Sequence, residues 1–246
     1  MYLPPSDRIN IKPLSLLFEN MSECYKIFWF QALVDVVEEG NTVISYNDLI
    51  NRMIVHAWYM VSEYKLNLGP SDTLETLVNY VFKISGLKSN EKKETLVKYL
   101  EVSEDKELIR MKRTLTYNVP YRLQAPFIKN FKGEGWKVSA RSLAEKINHE
   151  DQLIYYYVKI DGLQSQLEVK QEWAEYIKRN YQILCGWIRY HMITYLQRRN
   201  PSVPGIVNKL EPPICRQLEK VKRYWRMVLD VEPIHEIYSG ELLSRH

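Results

Sequence analysis

Two groups of residues in this sequence have side chains suited to a functional site. Asp161 and Glu168, with Lys170 close behind, are of the kind that can share a divalent metal ion. The second group is a concentration of Lys and Arg toward the C-terminus, the side chains that contact phosphate groups. Whether the members of either group act together depends on the helices and strands that carry them.

The carboxylate pattern lies on a predicted β-hairpin. Strand-like segments at 153–160 and 163–170 flank Asp161-Gly162, a strong signal for a two-residue type I′ turn. At about 3.3 Å per strand residue, Asp161 and Glu168 would lie roughly 20 Å apart, with Glu168 facing Tyr155. Ligands of one metal ion must converge on it. The Asp…Glu-x-Lys order is typical of metal-dependent nucleases, but here we interpret it as a turn aspartate and a solvated strand end.

The cations form the stronger pattern. Residues 178–226 contain eleven Lys or Arg and two acids, a net charge of +9, whereas the whole chain carries +4. Such asymmetry favours a polyanionic partner, most simply nucleic acid. The alternative is the solvated face of an ordinary helical domain. The candidate nucleic-acid-binding residues are Arg189, Arg198, Arg199, Lys209, Arg216, Lys220, Lys222, Arg223 and Arg226.

Two predicted helices would position these cations. Apolar residues at helical spacing predict one long helix over about 171–198, which Asn200-Pro201 ends. A final helix begins near Pro213, a favoured first position. On that helix the cations at 216, 220 and 223 lie opposite the apolar face, where they would meet solvent or phosphate.

Other chemistry is absent from the sequence. The five histidines form no HExxH or Cys/His cluster, and no GxSxG elbow, Walker loop or GxGxxG occurs. Three distant cysteines predict a reducing compartment without a disulfide framework. The N-terminus lacks the pattern of a signal peptide, and no apolar window is long enough to span a membrane. We therefore expect a cytoplasmic protein that does not contact a membrane.

The predicted fold class is mainly α, a multi-helix domain with one β-hairpin. The sequence suggests a helical region at 1–118, an irregular segment with a short helix and the hairpin at 119–170, and a basic helical region at 171–246, which could also form one continuous domain. Within these regions, helices are predicted at about 22–39, 45–61, 71–86, 91–101, 104–116 and 139–148, with an irregular stretch between Pro120 and Pro126.

Several longer stretches carry a family resemblance. They are NMSECYKIFWFQ at 20–31, AWYMV at 57–61, VPYRL at 119–123, LQRRNP at 196–201 and PIHEIY at 233–238. In order and spacing they resemble the N-terminal region of bacterial proteins that contain an HNH endonuclease domain. The resemblance covers nearly the whole chain. Its motifs are typical of a family, but they do not indicate a chemical activity.

The resemblance implies that catalysis resides in a separate module. In the family, a compact ββα-metal unit follows this region and uses histidines and an asparagine to bind a divalent metal and activate water. No Asp-His pair followed by the Asn and second His of that module occurs here, so no catalytic residue is carried over. A divalent metal is expected only in that nuclease module, and no cofactor is expected in this chain. Whether the chain belongs to an enzyme depends on that module.

Together these features predict the nucleic-acid-engaging or scaffold region of an HNH-type DNA endonuclease. Its expected partners are DNA and either the nuclease module or a second copy of the chain. A protein-interaction or oligomerisation module with aromatic anchors is the main alternative. A complete enzyme of an unrecognised type is a third.

Overall fold

The computed structural model describes residues 2–19, 21, 23–70, 72–117, 119–128, 139–213 and 227. The chain divides into two compact units, 1–211 and 212–246. Of the second unit, only Pro212, Pro213 and Met227 are among the described residues. The first unit is mainly helical with a small antiparallel sheet, which confirms the predicted fold class.

The elements of the first unit follow one another in chain order. They are α1 (Lys12–Ser15), α2 (Tyr25–Glu38), β1 (Val43–Ser45), α3 (Tyr46–Ser62), α4 (Thr73–Ser85), α5 (Lys93–Val102), α6 (Lys106–Thr116), α7 (Val119–Gln124), α8 (Ala140–Asn148), β2 (Tyr155–Lys159), β3 (Gln166–Val169), α9 (Gln171–Arg179) and α10 (Tyr181–Arg199). Short 3-10 turns occur at Ala125–Phe127, Gly162–Gln164 and Ile206–Lys209.

Polar side chains begin several of these helices where the sequence predicts them. Ser45 accepts a hydrogen bond from the Asp48 amide at the start of α3, and Ser139 does the same for Ser142 at α8. Gly86, with φ of +67°, ends α4 in the left-handed conformation that glycine tolerates best. The six predicted helices before the hairpin are therefore confirmed, with ends that differ by a few residues.

The core is built around α2. Residues on all sides of α2 are buried, from Ile27 to Val37, and the helix packs against α3, α7, α9 and α10. A helix that is apolar all round must lie inside the protein rather than on its surface. Because α10 packs directly on this central helix, the outer face of α10 is held on a rigid support.

The hairpin is confirmed, but its predicted turn is wrong. Asp161 has φ of −157°, and a 3-10 turn follows at Gly162–Gln164, so the strands are joined by a longer loop. The Ser165 hydroxyl accepts from the Asp161 amide at 2.8 Å and donates to the Gly162 carbonyl at 2.7 Å, which stabilises this loop. The longer loop shifts the register, so Glu168 pairs with Tyr156 instead of Tyr155.

A third strand, β1, was missed by the sequence prediction. It pairs with β3 in antiparallel register, with Val43 opposite Glu168, and the sheet order is β1-β3-β2. The segment is only three residues long, too short to show an alternating pattern.

The outer edge of β2 is covered by side-chain amides. Gln124 on α7 accepts from the Ile154 amide at 3.0 Å and donates to the Tyr155 carbonyl at 2.6 Å. Asn148 forms a similar pair of bonds with the backbone of Tyr157, each 2.9 Å long. The two amides satisfy backbone groups that an edge strand would otherwise expose.

Two helical predictions need correction. The stretch between Pro120 and Pro126 is not irregular but contains α7, because a proline in the first turn removes no helical hydrogen bond. The single helix predicted over 171–198 is divided at Asn180, whose side-chain amide donates to the Tyr176 carbonyl at 2.9 Å. An asparagine that bonds to nearby backbone competes with helix continuation.

In the part of the chain that the structure describes, no helix is both long and apolar enough to cross a membrane.

Candidate nucleic-acid interface

The cations predicted to bind nucleic acid begin on α9 and α10. Residues 176–210, here called the basic segment, contain six cations and no Asp or Glu. These six are Lys178, Arg179, Arg189, Arg198, Arg199 and Lys209. No acid within the segment itself offsets these charges.

Four of these cations are exposed: Lys178, Arg179, Arg189 and Arg198. Arg189 lies 3.4 Å from Glu211, with 44% and 60% of the two side chains exposed, a geometry in which an ion pair contributes little. The other three form no ion pair with the residues that the structure describes. Their charges are therefore available to an external partner.

Arg199 is less accessible than its neighbour. It is half-buried, its Nε donates to the Tyr195 hydroxyl at 3.3 Å, and its guanidinium lies 5.5 Å from the centre of the Tyr195 ring. The Tyr195 hydroxyl in turn donates to the Leu68 carbonyl at 2.7 Å. Arg199 is thus oriented by the core, while Arg198 points into solvent.

Lys209 is also engaged within the protein. Its Nζ donates to the Pro204 carbonyl at 2.6 Å and lies 5.1 Å from the centre of the Tyr64 ring. A half-buried lysine held in this way contributes to the positive field but has fewer free donors for a phosphate.

The end of α10 is hydrogen-bonded to the loop between α3 and α4. Asn200 accepts from the Asn67 amide at 2.8 Å and donates to the Asn67 carbonyl at 3.0 Å. This paired contact fixes the direction in which the last turn of α10 presents its side chains. The sequence indicates Asn200 only as part of a helix stop, because its partner Asn67 is distant along the chain.

The remaining predicted binding residues lie outside the described residues. They are Arg216, Lys220, Lys222, Arg223 and Arg226, all on the predicted final helix. Of the predicted binding residues, the structure therefore describes those of the basic segment.

A charged cluster brings together residues from the stretches at 20–31, 119–123 and 196–201. Burial raises the pKa of Glu23 on the approach to α2, and the positive charges of Arg199 and Arg122 oppose that rise. Burial and the charge of Arg122 lower the pKa of Lys26. A Cβ at Gly69 would overlap the Glu23 carboxylate, which would have to move away to make room. No local pattern identifies the cluster, because its charged members lie before and within α2, on α7 and on α10.

The carboxylate pattern on the hairpin does not form a metal site. Asp161 pairs with Lys159 at 2.9 Å, and Glu168 lies between Tyr156 and Val43 in the sheet. Within the described ranges, no group of three or more His, Cys, Asp or Glu side chains is arranged to hold a metal ion.

One histidine has a carboxylate partner that the sequence did not reveal. His56 Nε2 on α3 lies 2.9 Å from Asp35 Oδ2 on α2, and the Tyr181 hydroxyl donates to Asp35 Oδ1 at 3.1 Å. Although burial opposes it, hydrogen bonds from His56 and Tyr181 lower the pKa of Asp35. These bonds link three helices around the core. Burial raises the pKa of the nearby Cys185 thiol, which disfavours its thiolate form.

Comparison with known proteins gives no relative. No protein-family model, curated protein or solved structure matches the chain. Functional inference therefore depends on the residues and geometry of this chain.

Proposed function

We propose that this chain engages DNA through the basic segment and positions an HNH-type nuclease module without carrying the catalytic residues itself. One observation carries the proposal: four exposed cations on α9 and α10 lie in a segment with no acids. The HNH-type partner module is proposed only from the sequence stretches at 20–31, 57–61, 119–123, 196–201 and 233–238.

The chemistry of these contacts is electrostatic. Each Lys or Arg that approaches a phosphate releases a counterion condensed on DNA, and this release favours binding at low salt. Such contacts fix the position of a protein on DNA but do not read its sequence. The proposed role is therefore placement of the nuclease on DNA.

The geometry of α10 suits a continuous backbone. Arg189 and Arg198 are nine residues apart, which corresponds to about 13.5 Å along a helix. At 100° per residue they lie about 180° apart around the helix, so a backbone that contacts both must cross α10. Because α10 packs on the buried helix α2 and is fastened at Asn200, binding would require little ordering of its backbone.

The metal chemistry of the family is assigned to the nuclease module. The described residues provide no group of ligands that fits a divalent ion, and the resemblance transfers no ligand to a numbered position here. The basic segment would instead contact the DNA backbone beside the site where that module acts.

A protein-interaction module is the competing proposal, and α10 offers one observation for it. Ile183 and Tyr190 are exposed on the outer face of α10, with 42% and 53% of their surface accessible. Apolar and aromatic residues of this kind anchor protein partners. Binding through them would depend weakly on salt, whereas phosphate contacts would depend on it steeply.

The test is a titration of the full chain with a fluorescent 20-base-pair duplex at several salt concentrations. If three phosphates are contacted, affinity should fall about 40-fold between 50 and 200 mM salt, because log Kd changes by about 0.9 per phosphate for each tenfold change in salt. Absence of duplex binding at 50 mM salt, or binding that does not respond to salt, would contradict the proposal.

A further inference from the structure

The outer face of α10 carries an exposed aromatic ring among the cations. Ile183, Tyr190 and Gln197 are spaced by seven residues, which places them on one line along the helix, and all three are exposed. Of the four tyrosines in the basic segment, at 176, 181, 190 and 195, Tyr190 is the most exposed. A tyrosine in this position is not needed for the core.

The Tyr190 ring is held in place by the core through His191. The two rings are 5.3 Å apart and nearly perpendicular, at 83°. His191 in turn lies 4.9 Å from the ring of Trp187 and 5.3 Å from that of Phe18, both of which are buried. An edge-to-face contact restrains a ring while leaving much of its surface open to a stacking partner.

Two cations flank this ring. At 100° per residue, Arg189 lies about 100° to one side of Tyr190 around the helix and Arg198 about 80° to the other side. Both are exposed; Arg189 also lies 3.4 Å from Glu211, just beyond the basic segment, in an exposed pair that contributes little. A negatively charged backbone that crosses the face between these two arginines would pass over Tyr190.

We propose that Tyr190 is a stacking site for an unpaired nucleobase, with Arg189 and Arg198 contacting the flanking phosphates. The ligand class is a single strand, or a duplex that contains an unpaired base. In a continuous duplex both faces of each base are already stacked, so a ring on a helix surface has no base face to meet. This inference rests on the proposed DNA-binding function and adds the form of nucleic acid that the chain prefers.

Three other exposed tyrosines do not share this setting. Tyr156 is covered by the Lys170 ammonium at 4.6 Å from its ring, and Tyr64 packs against Tyr59 and Lys209. Tyr117 is 63% exposed but follows α6, outside the basic segment. Tyr117 is therefore a control, an accessible ring that lies outside the basic segment.

The experiment compares a 12-nucleotide oligo(dT) strand with a duplex of the same length at 50 mM salt. Tyr190→Ala should weaken binding to the single strand about 5- to 100-fold, and Tyr190→Phe should stay within about 3-fold of wild type, because stacking needs the ring and not the hydroxyl. Tyr117→Ala should bind both ligands as wild type does. Duplex affinity should change less than about 2-fold in Tyr190→Ala, since that variant keeps every cation.

The outcomes separate the two proposals. If wild type binds the duplex with the expected salt dependence but Tyr190→Ala binds the single strand equally well, the stacking site is overturned and the DNA-binding function stands. If Tyr190→Ala loses single-strand and duplex affinity equally, the stacking site is also overturned. If wild type binds neither ligand, the DNA-binding function fails, and the stacking site fails with it. Far-ultraviolet circular dichroism of each variant confirms that the fold is retained.

Discussion

Two regions of the molecule have comparable numbers of cations but use them differently. Residues 88–113, which include α5 and most of α6, contain eight Lys or Arg and six acids, whereas the basic segment contains six cations and no acid. In the first region Arg110 pairs with Glu107 at 2.5 Å, and the Lys112 side chain is buried. In the second, Lys178, Arg179 and Arg198 have no acidic partner among the described residues.

The comparison shows that the balance of charge, more than the number of cations, distinguishes a structural surface from a candidate interface. The eight cations and six acids of residues 88–113 largely cancel at a distance and leave weak local pairs. A segment without acids produces a field that extends to a polyanion about one Debye length away. Cations that contribute to the fold should affect stability when changed, and cations that serve a partner should not.

Lys112 should give the largest effect on stability. Burial lowers its pKa from 10.5 to about 8, with Glu101 partly opposing, and its Nζ donates to the Leu100 carbonyl at 3.0 Å. Between about pH 8 and 10 the unfolded chain would hold this proton and the folded chain would not. Stability should therefore rise with pH across that window, by about 3 kcal/mol in total.

Lys112→Met removes this titration and retains the length of the side chain. Urea unfolding at pH 7, 8, 9 and 10 should show the difference in unfolding free energy between wild type and Lys112→Met moving in favour of wild type as the pH rises. Parallel pH profiles for the two proteins would show that folding does not lower the pKa of Lys112. Lys112 would then not be an example of a cation that serves the fold.

Asn200 should give a smaller effect, although it adjoins the cationic end of α10. Asn200→Ala removes both hydrogen bonds to the Asn67 backbone and should lower the unfolding free energy by about 1–2 kcal/mol. Asn208→Ala is the matched control, because Asn208 is exposed and its side chain makes no hydrogen bond with the described residues. Equal stability of the two variants in urea unfolding would mean that the end of α10 is not fastened as described.

Sequence patterns predicted most helices because their caps and apolar spacing are local. Ser45, Ser139 and Gly86 each act within one turn of their own position. The longer hairpin loop was missed because the Ser165 hydroxyl, and not the Asp-Gly pair, determines its conformation. The break in the long helix was missed because Asn180 competes with a strongly helical neighbourhood.

The candidate site was only partly visible in the sequence. Its cations and the lack of acids can be read directly, and so can the helices that carry them. The sequence does not show which cations are accessible, because this depends on contacts made after folding. Arg199 bonds to the Tyr195 hydroxyl, and Lys209 bonds to the Pro204 carbonyl. The exposure of Tyr190 follows from the packing of α10 on α2, which no local pattern encodes.

The most direct test of the DNA-binding account is a matched pair of charge reversals. One variant changes Lys178, Arg179 and Arg198 to Glu, and the control changes Lys83, Arg113 and Lys146 to Glu. All six are exposed cations in the last turn of a helix, so the two variants share the same net charge and the same effect on helix ends. Both should unfold in urea within about 0.5 kcal/mol of each other, since exposed charges contribute little to stability.

Their DNA binding should differ. For a 20-base-pair duplex, the reversal on α9 and α10 should lower affinity at least about 10-fold and reduce the slope of log Kd against log salt by up to about 0.9 for each phosphate that the variant no longer neutralises. The control should weaken binding less than about 3-fold and keep the slope of wild type, because its cations lie outside the proposed surface. Equal affinities and equal slopes for the two variants would contradict the account and favour a protein-interaction role for α10.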